Sequence, residues 1–144
     1  MKIEEFLKQL RHDDIVAAIR GAEAITSGEI RVFISRKDVS EPVEVAKEHF
    51  IRMKMAETQE RNGVLIFVAP RTRKFAVIGD EGVHRKCGNK FWTALTAEMS
   101  DRFRESKFSE GIIHGVKSAG KILAEHFPRR ADDKNELSDE VERD

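Results

Sequence analysis

The sequence predicts an α/β domain, a three-layer sandwich in which a small mixed β-sheet carries helices on both faces. Three observations predict it. Residues 64–69 form an unbroken apolar run, rich in β-branched and aromatic side chains and bounded by Asn62-Gly63 and Pro70. A short run without polar alternation, ended by breakers, reads as a strand covered on both faces. Residues 74–78 form a second β-rich run after the link Arg71-Thr72-Arg73, and so short a link permits only a hairpin of antiparallel neighbours. Upstream, a strand over 29–35 and a helix opened by Pro42 lead into 64–69. A strand–helix–strand unit crosses over right-handed, so these two strands are parallel.

The elements follow in order. Ile3, Phe6, Leu7 and Leu10 have the spacing of an amphipathic helix. Asp13 or Asp14 caps a second helix with Ile15, Ala18, Ile19 and Ala22 on one face, stopped near Thr26-Ser27-Gly28. Residues 29–35 alternate charged and apolar side chains before turning apolar, as a first strand does. Pro42 suits the first turn of a helix whose inner face is Val45, Ala46, His49, Phe50 and Met53.

After the hairpin, residues 83–87 read as a short helical turn. Phe91, Trp92, Leu95, Met99 and Phe103 make a helical stripe, and residues 105–107 break it. Phe108, Ile112, Ile113, Val116, Ile122, Leu123 and Phe127 mark a last long helix. Gly111, Gly115 and Gly120 let a neighbouring element approach this helix closely, since a helical glycine otherwise costs roughly 1 kcal/mol relative to alanine. From Pro128 the chain has almost no apolar residues. Residues 1–127 are therefore read as the domain, and 128–144 as a polar acidic tail, either disordered or a loose surface arm.

The chain has 144 residues, enough for one real core. Its 26 basic and 26 acidic residues cancel, so no global field favours nucleic acid or an anionic membrane. Residues 128–144 hold seven acidic and four basic residues, net −3, which leaves the domain mildly positive at +3. Cys87 is the sole cysteine, so no intrachain disulfide forms and nothing calls for an oxidising compartment. The first residues carry acids where a signal peptide needs an apolar core, and no apolar run is long enough to span a membrane. The expectation is a cytoplasmic, monomeric protein.

The hairpin separates two candidate sites. One end of the strand pair is basic, at Arg71 and Arg73, and the other gathers Glu29, Glu60, Asn62, Asp80, Glu81 and His84. About seven residues at roughly 3.3 Å each put the ends about 20 Å apart, so they form no single site. Carboxylates, an amide and an imidazole at strand ends can ligate Ca²⁺ or Mg²⁺ through oxygen, or a transition metal through His84. The competing reading makes residues 79–82 a solvated turn and Glu29 a surface strand residue. Arg71 and Arg73 lie beside the carboxyl ends of the parallel strands, where open α/β sheets place ligands, and guanidinium groups suit phosphate. A basic hairpin tip also serves simply as a solubilising edge.

Cys87 follows Arg85-Lys86, which would lower its pKa, but a lone cysteine near an apolar helix is ordinarily a small buried filler. His12, His49, His114 and His126 lack a second ligand at metal spacing and read as packing or surface residues. No phosphate-loop, Ser-His-Asp or zinc-cluster pattern is present.

The order Thr26-Ser27-Gly28-Glu29-Ile30, Asn62-Gly63-Val64-Leu65-Ile66-Phe67-Val68-Ala69-Pro70, Arg73-Lys74 and Gly79-Asp80-Glu81-Gly82 resembles the TPM domain family. With Phe108-Ser109-Glu110-Gly111-Ile112, the resemblance covers roughly residues 13–127. It implies an α/β sandwich, and for function an acid phosphatase, a divalent-cation binder acting through aspartates, or an assembly and repair factor. Many such proteins are membrane-anchored or exported. Where the family has an aspartate several residues after its Gly-x-Gly, this chain has Val83-His84-Arg85-Lys86-Cys87, with no carboxylate. The acidic turn before the last helix is Glu105-Ser106-Lys107. Asp80 and Glu81 are the carboxylates that remain. The expectation is an accessory domain that binds a protein partner or a divalent cation, Ca²⁺ or Mg²⁺, the cation at the acidic sheet edge. The alternative is a weak metal-dependent phosphatase using Asp80, Glu81 and Glu29.

Overall fold

In a computed structural model describing residues 2–129 and 140–144, the chain runs α1 (Ile3–Gln9), α2 (His12–Glu23), β1 (Glu29–Ile34), α3 (Pro42–Arg52), β2 (Gly63–Ala69), β3 (Lys74–Gly79), α4 (Glu81–Cys87), α5 (Lys90–Arg104), α6 (Phe108–His126) and β4 (Val141–Arg143). The sheet order is β3-β2-β1-β4. β1 pairs in parallel with β2, Glu29 opposite Gly63, and β2 pairs antiparallel with β3, Val64 opposite Gly79. The expected mixed sheet is therefore present.

Strand alternation sorts the core into two layers. Ile30, Val32, Ile34, Val64, Ile66 and Val68 pack against the side carrying α1, α2, α5 and α6. Phe33, Leu65, Phe67 and Ala69 pack against α3 through Ala46 and Phe50. Both faces of β2 are thus covered, which is why its sequence shows no alternation. Asp13 and Asp14 lie in the first turn of α2 rather than capping it, where the helix dipole still favours their charge. The glycines of α6 act as expected: Gly120 faces the Cβ of Ala22, and Gly111 and Gly115 face Phe103 and Met99.

Two differences from the sequence reading bear on function. Residues 79–82 are not a free turn, because α4 begins at Glu81 with Asp80 as its N-cap. The stretch read as a loose tail returns to the sheet: β4 pairs in parallel with β1, Val32 opposite Val141. Periodicity could not reveal it, since Val141 is its one apolar residue. Main-chain pairing and charge hold it instead. Arg31, whose side chain is only 6 % exposed within β1, pairs with Glu142. Asp144 accepts hydrogen bonds from the Ser35 hydroxyl and, at 2.7 Å, from the Arg36 backbone N–H. The remainder of that stretch, 130–139, lies outside the described residues.

Candidate functional site

The sheet register aligns the start of β1, the start of β2 and the end of β3 along one edge, so topology brings Glu29, Asn62, Asp80 and Glu81 to the same end. Each then has its own surroundings.

Asp80 is buried, 6 % exposed. Its Oδ1 accepts from the Glu81 N–H at 2.8 Å, closing the first turn of α4, and from Arg61 Nη2 at 2.9 Å; its Oδ2 accepts from Arg61 Nε at 2.8 Å. This is a two-pronged, charge-assisted pair, and the hydrogen bond to Asp80 holds the Arg61 guanidinium above its ordinary pKa. Arg61 also reaches Glu81 Oε1 at 3.4 Å on the exposed side. Its backbone is left-handed, φ 51°, a conformation that non-glycine residues seldom adopt.

The turn fits only because residue 82 is glycine. Its N–H donates to the Arg61 carbonyl at 3.0 Å, and a Cβ there would lie 2.3 Å from the Glu60 carbonyl oxygen and 2.7 Å from that of Arg61.

A second cluster adjoins. The Ser27 hydroxyl donates to Glu60 Oε2 at 2.8 Å, and the Asn62 side-chain amide donates to Ser27 Oγ at 3.3 Å. Asn62 is itself buried, and its backbone N–H donates to Thr58 Oγ1. Glu60, Ser27 and Asn62 thus present a carboxylate, a hydroxyl and an amide together, with Glu81 exposed beyond Arg61. The carboxylate and the hydroxyl are hard oxygen donors, suited to Ca²⁺ or Mg²⁺ rather than to a soft metal, whereas Asn62 meets the cluster through its amide nitrogen.

Glu29 and His84, the other expected ligands, have different exposures. Glu29 is buried at the foot of β1. His84 is exposed on α4 with its ring 6.2 Å from that of Trp92. Among the described residues, no group of three or more His, Cys, Asp or Glu side chains is arranged to hold a metal ion. Ser27 and the Arg61–Asp80 pair are what sequence reasoning missed. Arg61 was recognisable as a neighbour of the edge, but its grip on Asp80 depends on a backbone conformation that no sequence pattern marks.

At the basic end the two arginines diverge. Arg71 Nε lies 3.2 Å from Asp38 Oδ1 in an exposed pair, whereas Arg73 closes the turn after Pro70 in the left-handed conformation, φ 56°. Elsewhere, burial pushes the Cys87 thiol above its ordinary pKa, with the Glu125 charge adding to the effect and Lys86 opposing it, so the neighbouring basic residues do not activate it. His49 stacks on Phe33 with ring centroids 4.1 Å apart. His114 Nε2 lies 2.7 Å from Glu98, and His12 lies 3.5 Å from Glu140. Among the described residues, no helix is long and apolar enough to cross a membrane.

Residues 2–122 match the family described as the TPM domain. Among solved structures, the chain is similar to the BA42 protein of the psychrophilic bacterium Bizionia argentinensis, determined by NMR. That protein is 34% identical, the match covers 94% of this chain and 96% of that one, and the TM-score is 0.86. The N-terminal domain of a protein from P. gingivalis is 16% identical, with 77% of this chain and 72% of that one covered and a TM-score of 0.62, a likeness of fold alone. No curated protein matches the chain.

Proposed function

The chain belongs to the TPM domain family, and we propose that it is an accessory domain of the binding type, taking a divalent cation at the acidic end of its sheet. The observation that carries this reading is the division of labour among the acidic residues. Asp80 is committed to Arg61 and to the cap of α4, and it makes the edge rigid from behind. Glu60, Ser27 and Asn62 converge in front of it, with Glu81 exposed nearby.

A hard cation seated there replaces the hydrogen bond between Ser27 and Glu60 with direct oxygen ligation. With one or two carboxylates in the set, affinity falls at the weak end of the oxygen-ligand range, on the order of 10⁻⁴–10⁻³ M. Metal-assisted phosphoryl transfer asks for a carboxylate set that both holds the cation and orients the attacking water. Asp80, the carboxylate expected at the centre of such a set, already has both oxygens engaged. Binding is therefore the reading that the geometry favours over hydrolysis.

The test is an amide-resolved NMR titration of the labelled protein with Ca²⁺, Mg²⁺ and Zn²⁺. Saturable shifts at residues 27, 60–62 and 80–82, stronger for Ca²⁺ or Mg²⁺ than for Zn²⁺ and lost in Glu60→Gln, are expected. No shift at about 10 mM cation sinks the cation reading. Metal-dependent release of phosphate from a simple ester, abolished by Glu60→Gln, would instead establish the hydrolase.

A further inference from the structure

At the opposite end of the sheet, the exit of β2 and the start of β3 meet α1, the end of α5 and the start of α6 around a cleft of about 620 Å³. That volume falls in the range of small-molecule sites. One wall is aromatic and comes from four separate elements. Phe6 and Phe108 lie 4.8 Å apart between centroids, Phe75 meets Phe103 edge-on at 5.0 Å, and Phe103 and Phe108 are 6.3 Å apart. The rim carries Arg73, Lys74 and Arg104, and the described lining contains no carboxylate.

The three cations are not equivalent. Lys74 Nζ donates to the Ser40 carbonyl at 2.8 Å. Arg104 lies 3.5 Å from Asp101, an exposed pair that binds it weakly. Arg73 makes no ion pair with a described residue. Of the four left-handed non-glycine residues among the described residues, two, Arg73 and Ser106, sit on this cleft. Such conformations persist where the surroundings over-determine them, and they concentrate at ligand sites.

We propose that this cleft binds a small aromatic anion, its charged head on Arg73 with Arg104 and its ring on the Phe75–Phe103–Phe108 wall. Aromatic rings stack edge-to-face or offset against such a wall, and guanidinium groups clamp carboxylate and phosphate heads alike. The head alone meets an exposed rim that water competes for, and the ring alone meets no polar anchor, so the two parts together set the specificity. The inference is independent of the acidic edge, which lies about 20 Å away by strand length. Either site can fail without the other.

The full labelled chain would be titrated with phenyl phosphate, benzoate, inorganic phosphate and neutral benzyl alcohol. Phenyl phosphate and benzoate are expected to shift amides at 73–75 and 103–108 saturably, with Kd on the order of 1 mM for ligands this small. Each half alone should bind about tenfold more weakly or worse. Arg73→Ala, a change at an exposed residue, should weaken both aromatic anions about fivefold or more. Arg71→Ala, which removes a cation paired outside the cleft, should leave them unchanged. Shifts confined to phenyl phosphate still support the site and narrow the head to phosphate. Inorganic phosphate binding as tightly as phenyl phosphate, equal effects of the two arginine variants, or no saturable shift would each overturn the proposal.

Discussion

Gly82→Ala tests whether the acidic end is as rigid as its proposed role requires. The added Cβ would lie 2.3 Å from the Glu60 carbonyl oxygen, 2.7 Å from the Arg61 oxygen and 3.2 Å from the Arg61 carbonyl carbon. None of these is a side-chain atom that can rotate away. The backbone from Glu60 to Asn62 must retreat by about 1 Å to reach ordinary contact distance. That segment carries the left-handed Arg61 and, through its side chain, the grip on Asp80.

Overpacking costs about 1–3 kcal/mol, and a backbone clash belongs at the upper end. Replacing a helical glycine returns at most about 1 kcal/mol. The net is a loss of about 2 kcal/mol, which lowers Tm by about 6–8 °C in a chain of this size. Gly21→Ala is the control with the opposite sign. Gly21 is exposed within α2 and has nothing within 4 Å of its would-be Cβ, so the propensity gain of up to about 1 kcal/mol stands alone and raises Tm by about 3 °C. Thermal unfolding followed by far-UV circular dichroism separates the two. If Gly82→Ala melts at or above the wild-type temperature, the 60–61 loop yields freely and the acidic end is no fixed platform.

The remaining predictions concern β4 and two side chains outside both sites. Glu142→Ala strands the buried Arg31 guanidinium and should cost about 2 kcal/mol by chemical denaturation, below the roughly 3–5 of a fully buried pair because Glu142 is partly exposed. Burial alone would raise the Asp144 pKa, but the Arg36 N–H, the Ser35 hydroxyl and the Lys37 charge outweigh it and leave it below its ordinary 3.8. The stability it contributes is therefore whole above that value and lost as pH falls through the lower folded one, so amide protection in β4 should drop first in acid. Burial, then the Arg52 charge, lowers the His49 pKa from 6.5. The unfolded chain takes up that proton first, so stability should decline as pH falls below 6.5 and level off past the folded value; an NMR midpoint at or above 6.5 contradicts this. Cys87, with its thiol pushed up by burial, should react with iodoacetamide at neutral pH more slowly in the folded chain than in the unfolded one.

How far the sequence could be read depended on whether a feature is local. The run from Val64 to Ala69 announces a doubly covered strand by itself, and the short link to Lys74 dictates its antiparallel neighbour. Those two features, with the crossover through α3, already imply that Asn62, Asp80 and Glu81 share one end of the sheet. β4 was illegible because its pairing rests on the main chain and on Arg31, a charge in a stretch that alternates charged and apolar residues, which the fold seals beneath Glu142. The state of Asp80 was illegible for a related reason. A carboxylate between glycines looks available until its neighbour Arg61 turns left-handed and takes both oxygens. The aromatic cleft is more distant still, since Phe6, Phe75, Phe103 and Phe108 each read singly as the inner face of a different element, and only tertiary packing joins them. The same reasoning explains why a formal net charge of zero says little about ligands here. Acidic oxygens collect where β1 and β2 begin and β3 ends, and cations collect where β2 leaves the sheet and β3 enters it. A zero sum over the chain therefore leaves open which charges stand together at each end of the sheet, and it is those local groups, with their pairs, that a ligand meets.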